Sequence, residues 1–96
     1  MKSFAEFWPF YLKEHSNPTN RRLHFVGTLL VHLILIYSLA TQQWMLLTAL
    51  PILGYGFAWV GHFIIEKNRP ATFTHPLWSL AGDFKMFYLM LFGKLK

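Results

Sequence analysis

LHFVGTLLVHLILIYSLATQQWMLLTALPILGYGFAWVGHFII, residues Leu23 to Ile65, contains no Asp, Glu, Lys or Arg. Its forty-three residues are too many for one membrane span and suit two. A helix rising about 1.5 Å per residue needs roughly 20 apolar residues to cross a hydrocarbon layer about 30 Å thick. The only polar break is Thr41-Gln42-Gln43, near the middle. The stretch therefore reads as a helical hairpin, Leu23 to Ala40 and Trp44 to Ile65, joined by a short uncharged turn.

The charges outside the hairpin say which way it sits. Lys13, Arg21 and Arg22 precede it, Lys67 and Arg69 follow it, and the turn carries none. Basic residues gather on the cytoplasmic side of membrane proteins, so both ends are expected there, in a bacterial inner membrane or the endoplasmic reticulum. The same placement argues against a nucleic-acid module, which the net charge of +5 would otherwise suggest. Only 14% of residues are charged and 54% are hydrophobic, against about 25% charged in soluble proteins. At 96 residues the chain is read as one membrane-embedded helical domain, 1–96, too short for a large soluble core. It has no cysteine, which excludes disulfides, thiolate metal sites and cysteine nucleophiles. The first fifteen residues carry Glu6 and lack a continuous apolar core, so no signal peptide is read there and the mature chain is expected to start at Met1.

Working outward, Ser3 and Glu6 have capping-box spacing, and Phe4, Phe7, Trp8, Tyr11 and Leu12 follow at helical intervals. This predicts a short amphipathic helix, kinked at Pro9, lying on the cytoplasmic bilayer surface or packed against the hairpin's end. Asn17 as N-cap with Pro18 next starts the first span. In the second span Gly54, Ala58 and Gly61 form a small-residue stripe that admits a neighbouring helix, and Gly27 offers the same in the first. After Ile65 a polar, proline-containing loop leads to Pro76 and a last helix. There Leu77, Leu80, Phe84, Phe87 and Leu91 make an apolar face and Asp83 and Lys85 interrupt it. The expected fold is all-α: a membrane hairpin, an N-terminal amphipathic helix and a partly embedded C-terminal helix, together a small four-helix bundle.

Folding the hairpin at Gln42 sets His24, 18 residues before it, level with His62, 20 residues after it, within about 3 Å of the same depth at 1.5 Å per residue. His15, Glu66 and His75 fall at that cytoplasmic end too. Histidines with a carboxylate are the donors of an Fe, Zn or Cu site. His62 and Glu66, four apart on one helix, are placed to share an ion. His32 lies two turns deeper and is expected to bond a hydroxyl or a carbonyl across the helices. Lys67 and Arg69 are headgroup contacts or a clamp for an amphiphile's carboxylate, Arg69 better suited because its guanidinium forms a two-pronged fork. Asp83 is read as a partner for such a cation.

Two segments carry a resemblance: Tyr11-Leu12-Lys13-Glu14-His15-Ser16-Asn17-Pro18-Thr19-Asn20-Arg21-Arg22-Leu23-His24, and Gly61-His62-Phe63-Ile64-Ile65-Glu66-Lys67-Asn68-Arg69-Pro70-Ala71. They resemble the small membrane-protein family, long catalogued as a domain of unknown function, that includes the fungal endoplasmic-reticulum 2-hydroxy fatty acid dioxygenase of phytosphingosine breakdown. The resemblance implies an Fe(2+)-dependent dioxygenase for alpha-oxidation: a 2-hydroxy fatty acid and O2 give the acid one carbon shorter and CO2. It also implies that His15, His24 and His62 match the family's histidines and that Glu66, Lys67 and Arg69 lie in its second motif. His75 lies outside the matching pattern and rests on geometry alone. Two other readings stand beside this one. Either His24 and His62 ligate a haem in an electron-transfer or sensor protein, or the chain is a non-catalytic membrane scaffold.

Overall fold

The computed structural model describes residues Met1–Lys96. It contains four α-helices, α1 (Phe4–Glu14), α2 (Pro18–Thr41), α3 (Ala49–Val60) and α4 (Pro76–Leu91), and no strand. The expected start signals act locally. Ser3 Oγ accepts from the Glu6 amide at 3.2 Å, and Asn17 Oδ1 accepts from the Thr19 amide at 2.8 Å, with Pro18 opening α2. α1 continues through Pro9. Gln42, in the left-handed region at φ 55°, ends α2 and reverses the chain.

The second arm is not one regular helix. It runs as a 3-10 turn over Trp44–Thr48, then α3, then a π-helical turn over Gly61–Glu66. Pro51 has no N–H to give the Leu47 carbonyl, and tight 3-10 turns commonly lead into a helix at such a start. At the other end the wider turn matters more, because it redirects the side chains after Gly61.

The two arms, Pro18–Thr41 and Trp44–Glu66, have 24 and 23 residues with mean hydropathy up to 2.0 and 1.4, long and apolar enough to cross a membrane. Only 22% and 11% of those stretches is buried, whereas the core helix of a soluble bundle is mostly enclosed. Leu33, Ile36, Ile52 and Ile64 stand outward and exposed. Apolar surface on that scale calls for a nonaqueous neighbour.

The arms approach closely where side chains are smallest. A Cβ on Gly27 would lie 2.9 Å from Phe57 Cβ and 3.2 Å from the Leu53 carbonyl oxygen. A Cβ on Gly61 would collide with the Asn20 amide, and Ala58 is buried between these contacts.

α1 packs as part of the bundle, chiefly on α4 where the hairpin's end or the bilayer surface was expected. Phe7 and Tyr11 are fully buried with Met86 of α4 and Ala71 of the connecting 3-10 turn. Gly82 makes room for this, since a Cβ there would lie 2.9 Å from the Tyr11 ring. The apolar face read for α4 is only partly its packing face. Ser79, Gly82, Met86 and Phe87 are its buried residues, while Leu77, Leu80 and Leu91 of the apolar face are exposed. The helix turns its small residues toward α1, so Asp83 bonds Tyr11 and Lys85 lies 4.4 Å from the centre of the Trp8 ring.

Glycine contacts of this kind have a measurable cost. Gly61→Ala must displace Asn20 and is expected to destabilise by about 1–3 kcal/mol, the usual range for overpacking. Gly56→Ala, with nothing within 4 Å of its added Cβ, is the control and should hold or gain stability. Thermal unfolding in detergent checks both.

Candidate metal centre

Three imidazoles meet where α1 ends, α2 begins and the second arm closes. His15 is the C-cap residue of α1, His24 lies in the second turn of α2, and His62 sits in the π-helical turn. They are 1%, 4% and 2% exposed. His15 Nε2 is 3.1 Å from His24 Nε2 and 2.8 Å from His62 Nε2, and the three ligand atoms all lie within 4.8 Å of one another. The two histidines that counting put level are therefore also adjacent, with ring centres 4.9 Å apart, and His15 completes the triangle at 4.5 and 4.3 Å.

The opposite ring nitrogens decide the chemistry. His15 Nδ1 is 2.7 Å from the Tyr11 carbonyl oxygen, and His24 Nδ1 is 2.9 Å from that of Asn20. A carbonyl oxygen only accepts, so both Nδ1 atoms carry hydrogen. His62 Nδ1 is 2.7 Å from Asn68 Oδ1. Asn68 is oriented by its amide nitrogen, which donates to the Glu14 carbonyl at 3.0 Å and the Glu14 carboxylate at 2.7 Å. Its oxygen must then face His62, and that Nδ1 is a donor as well. All three Nε2 atoms are left as lone pairs pointing at one buried space, with no hydrogen to share among them.

Such a donor set fits a cation. Neutral imidazoles with Nδ1–H tied to carbonyl or amide oxygens are the arrangement metal-binding histidines adopt. Burial, reinforced by the two neighbouring imidazoles, pushes His15 down to about 2, so it stays unprotonated at neutral pH. Tyr11 stacks on His15 with ring centres 3.9 Å apart, and the Arg21 Nε donates to the His15 carbonyl at 2.5 Å, fixing the end of α1 against α2. A haem between His24 and His62 does not fit this packing, because their ring centres are 4.9 Å apart and His15 lies within 4.5 Å of both.

Beside His24 a cavity of about 220 Å³ lies between α3 and α4, with α2 as its floor. His24, Thr28 and Val31 line the floor, Pro51, Gly54 and Ala58 one wall, and Leu80, Asp83 and Phe84 the other. α3 and α4 each pack on α2 and scarcely on one another, so the cleft faces outward along the arms. The Tyr11 hydroxyl donates to Asp83 Oδ1 at 2.5 Å. Burial raises Tyr11 well above its ordinary value, and the Asp83 charge adds to this. Asp83 itself is pushed up to about 7, by burial and against the Tyr11 bond.

Residues 1–95 match the family described as 2-hydroxy-palmitic acid dioxygenase Mpo1-like. The chain belongs to this family. No curated protein and no solved structure matches it.

The Mpo1-like chain does not bring every expected residue to the imidazoles. Glu66 accepts from the Asn17 amide at 2.5 Å and from Asn20 Nδ2 at 3.4 Å. The helix widens after Gly61, so the four-residue spacing from His62 no longer aligns the two side chains. The carboxylate instead meets the free donors and positive end of α2. His75 sits at the N-cap of α4, stacked on Trp78 at 5.5 Å and 5.4 Å from Phe7, with its Nδ1 at the Thr74 hydroxyl. The 3-10 turn over Ala71–Phe73 carries it to the far side of α1. Arg69 is exposed and lies over the Phe73 ring at 5.3 Å, and Lys67 is an exposed left-handed residue. Asp83 pairs with a tyrosine where a cation was expected. His32 bonds the Thr28 carbonyl in its own helix and the Tyr88 hydroxyl on α4.

Sequence reasoning passed over Tyr11, Asn20, Arg21 and Asn68 as parts of the centre. A signal was present for two of them: Tyr11 and Asn20 each stand four residues before a histidine, where a helical Nδ1 finds its carbonyl.

Two predictions follow from this geometry. A divalent probe such as Co2+ or Zn2+ at a hundredfold excess over its Kd adds about 2.7 kcal/mol, on the order of 10 °C in Tm for a chain of this size. His15→Ala, His24→Ala and His62→Ala should each abolish that gain in a detergent melt, while His75→Ala keeps it. The second concerns Asp83, whose folded-state pKa near 7 lies above its ordinary 3.8. The folded state then holds a proton the unfolded chain has released, so this group's contribution to stability falls as pH rises through that window. Asp83→Asn lacks the titration and should gain on the wild type from the bottom of the window to its top, read as the difference between the two Tm profiles.

Proposed function

We propose that this protein is an integral-membrane, iron(II)-dependent dioxygenase that shortens 2-hydroxy fatty acids by one carbon. The single observation that supports this best is the set of three convergent, unprotonated Nε2 atoms within a chain that matches the Mpo1-like family. His15, His24 and His62 would hold the ion. When bound, the ion supplies open positions that polarise a 2-hydroxy carboxylate and activate O2.

The reaction balances without another reductant. One 2-hydroxy acid and one O2 give the shortened acid, CO2 and water. O2 takes four electrons, two from C2 and two released as C1 leaves. No nucleotide-binding segment is needed.

The residues of the chain bind and orient. The cavity beside His24 is small for a whole lipid, since pockets for drug-sized ligands run about 300–1,000 Å³. It suits the head and near end of an acyl chain, the remainder lying along the apolar cleft between α3 and α4. Tyr11, Asn20 and Asn68 keep the three imidazoles aimed, and each Nδ1–H bond makes its ring a better donor. Val31, Gly54 and Ala58 keep water from the reacting end. Lys67 and Arg69, exposed beside the second arm, are headgroup or carboxylate contacts at the membrane surface. The histidine centre and both termini lie on the cytoplasmic side, following the basic residues that flank the arms.

Metal analysis of the detergent-solubilised protein should find about one iron per chain with no Soret band. With 2-hydroxypalmitate it should consume O2 and release the acid one carbon shorter. His62→Ala should lose iron and turnover together, and undiminished activity in that variant would overturn the assignment. The absence of cysteine makes sidedness direct to read. A cysteine replacing Ser16 should react with an impermeant maleimide from the cytoplasmic side, and one replacing Gln43 from the opposite side. Labelling of both from one side contradicts the spanning hairpin.

A further inference from the structure

Asp83 is the one carboxyl group on the cavity wall, facing a space otherwise shared by His24, a few hydroxyls and apolar side chains. Its Oδ1 is held by the Tyr11 hydroxyl at 2.5 Å, and its other oxygen has no hydrogen-bond partner in the protein. Asp83 is half-buried, so this oxygen is reachable from the mostly apolar cleft and is placed to accept from whatever enters it. Everything else around Asp83 serves to keep it there. Gly82 lets the Tyr11 ring press against α4, and the same ring stacks on His15 at 3.9 Å. One tyrosine thus joins a candidate metal ligand to the only carboxyl on the cleft.

We propose that Asp83 is a specificity-determining residue whose free oxygen hydrogen-bonds the 2-hydroxyl group of the substrate, with Tyr11 as the positioning residue that holds it. This rests on the dioxygenase reading above and deepens it. An acyl chain lying in the cleft with its head toward the three imidazoles carries C2 past the α4 wall, where Asp83 stands. The hydroxyl donates and the carboxyl accepts, an interaction that an unsubstituted fatty acid cannot make. A site built around a substrate hydroxyl rejects the analogue lacking it because its own polar group is then left unpaired. The selection is therefore for hydroxylated acyl chains over the far commoner plain ones.

The test is equilibrium binding to the iron-loaded full chain in detergent under anaerobic conditions, where no turnover occurs, followed by quenching of tryptophan fluorescence. Wild type should bind 2-hydroxypalmitate in preference to palmitate. Asp83→Leu should cut that preference by about 10- to 100-fold, the range of a hydrogen bond to a charged or strongly polar group, without loss of iron. Asp83→Asn, which keeps an acceptor in place, should retain most of it. Tyr11→Phe preserves the stack on His15 and removes only the hydroxyl. It should weaken the preference in the same direction and carries the test should Asp83→Leu not fold. A wild type that turns over, with Asp83→Leu or Tyr11→Phe keeping the full preference, overturns the role of Asp83 and leaves the dioxygenase reading standing. A wild type that neither consumes O2 nor binds either acid overturns both.

Discussion

Three imidazole lone pairs aimed at one buried point are the constraint on which the rest of the structure turns. Left alone they repel one another, and each has been turned inward by a hydrogen bond on the far side of its ring. For His15 and His24 the α-helix itself supplies that bond, because a helical histidine finds the carbonyl four residues earlier. His32 makes the same bond to Thr28, so the device is general. It gives a candidate metal centre only where the end of one such helix meets the start of another. His62 cannot use it, since its segment has widened to a π turn. Its tether is Asn68, which returns because Lys67 takes a left-handed turn at φ 57° and the Asn68 amide bonds the His62 carbonyl at 2.9 Å. π turns of this kind recur at functional sites, and here the reason is local: the turn carries the ligand and frees the residue that orients it.

How much of this the sequence made legible follows from what each pattern measures. The hairpin was readable because absence of charge over Leu23–Ile65 reports a solvent, and length in residues converts directly to a distance. That conversion also put His24 and His62 at one depth. The apolar face of α4 was readable as a pattern and misleading as a guide to packing. In a chain whose outer surface is itself apolar, the inward face is marked by small and polar residues. Ser79 and Gly82 were the informative ones. Glu66 was misassigned because four-residue spacing implies a shared face only while the helix keeps its α pitch. Nothing in GHFIIE announces the change of pitch apart from Gly61, whose missing Cβ is needed by Asn20. His75 was drawn in by depth alone, a single coordinate, and the turn before α4 moves it sideways.

The division of labour among the helices follows from where the ligands come from. The hairpin contributes two of the three imidazoles. It has no way to supply the third. His15 arrives on α1, and α1 is held by α4, through Phe7 and Tyr11 against Met86 and the flat surface at Gly82. α4 is thus the element that delivers a candidate ligand it does not itself carry, and its position also creates the second wall of the cleft. A change in how α4 packs would move His15 and the cavity wall together.

That coupling explains why so small a chain can hold a buried polar centre at all. Each imidazole is anchored through a different element: the end of α1, the start of α2, and the loop after the π turn. An ion among them would close three separate backbone paths at once, so its binding free energy would add to folding. Without the ion the same three side chains are a destabilising feature, buried polar atoms with no partner. The protein tolerates this because Arg21, Asn68 and Glu66 tie the three ends together independently of the imidazoles, through the His15 carbonyl, Glu14 and the Asn17 amide. The three imidazoles are then held in place by ties that do not depend on an ion, which favours capture of one over rearrangement around it.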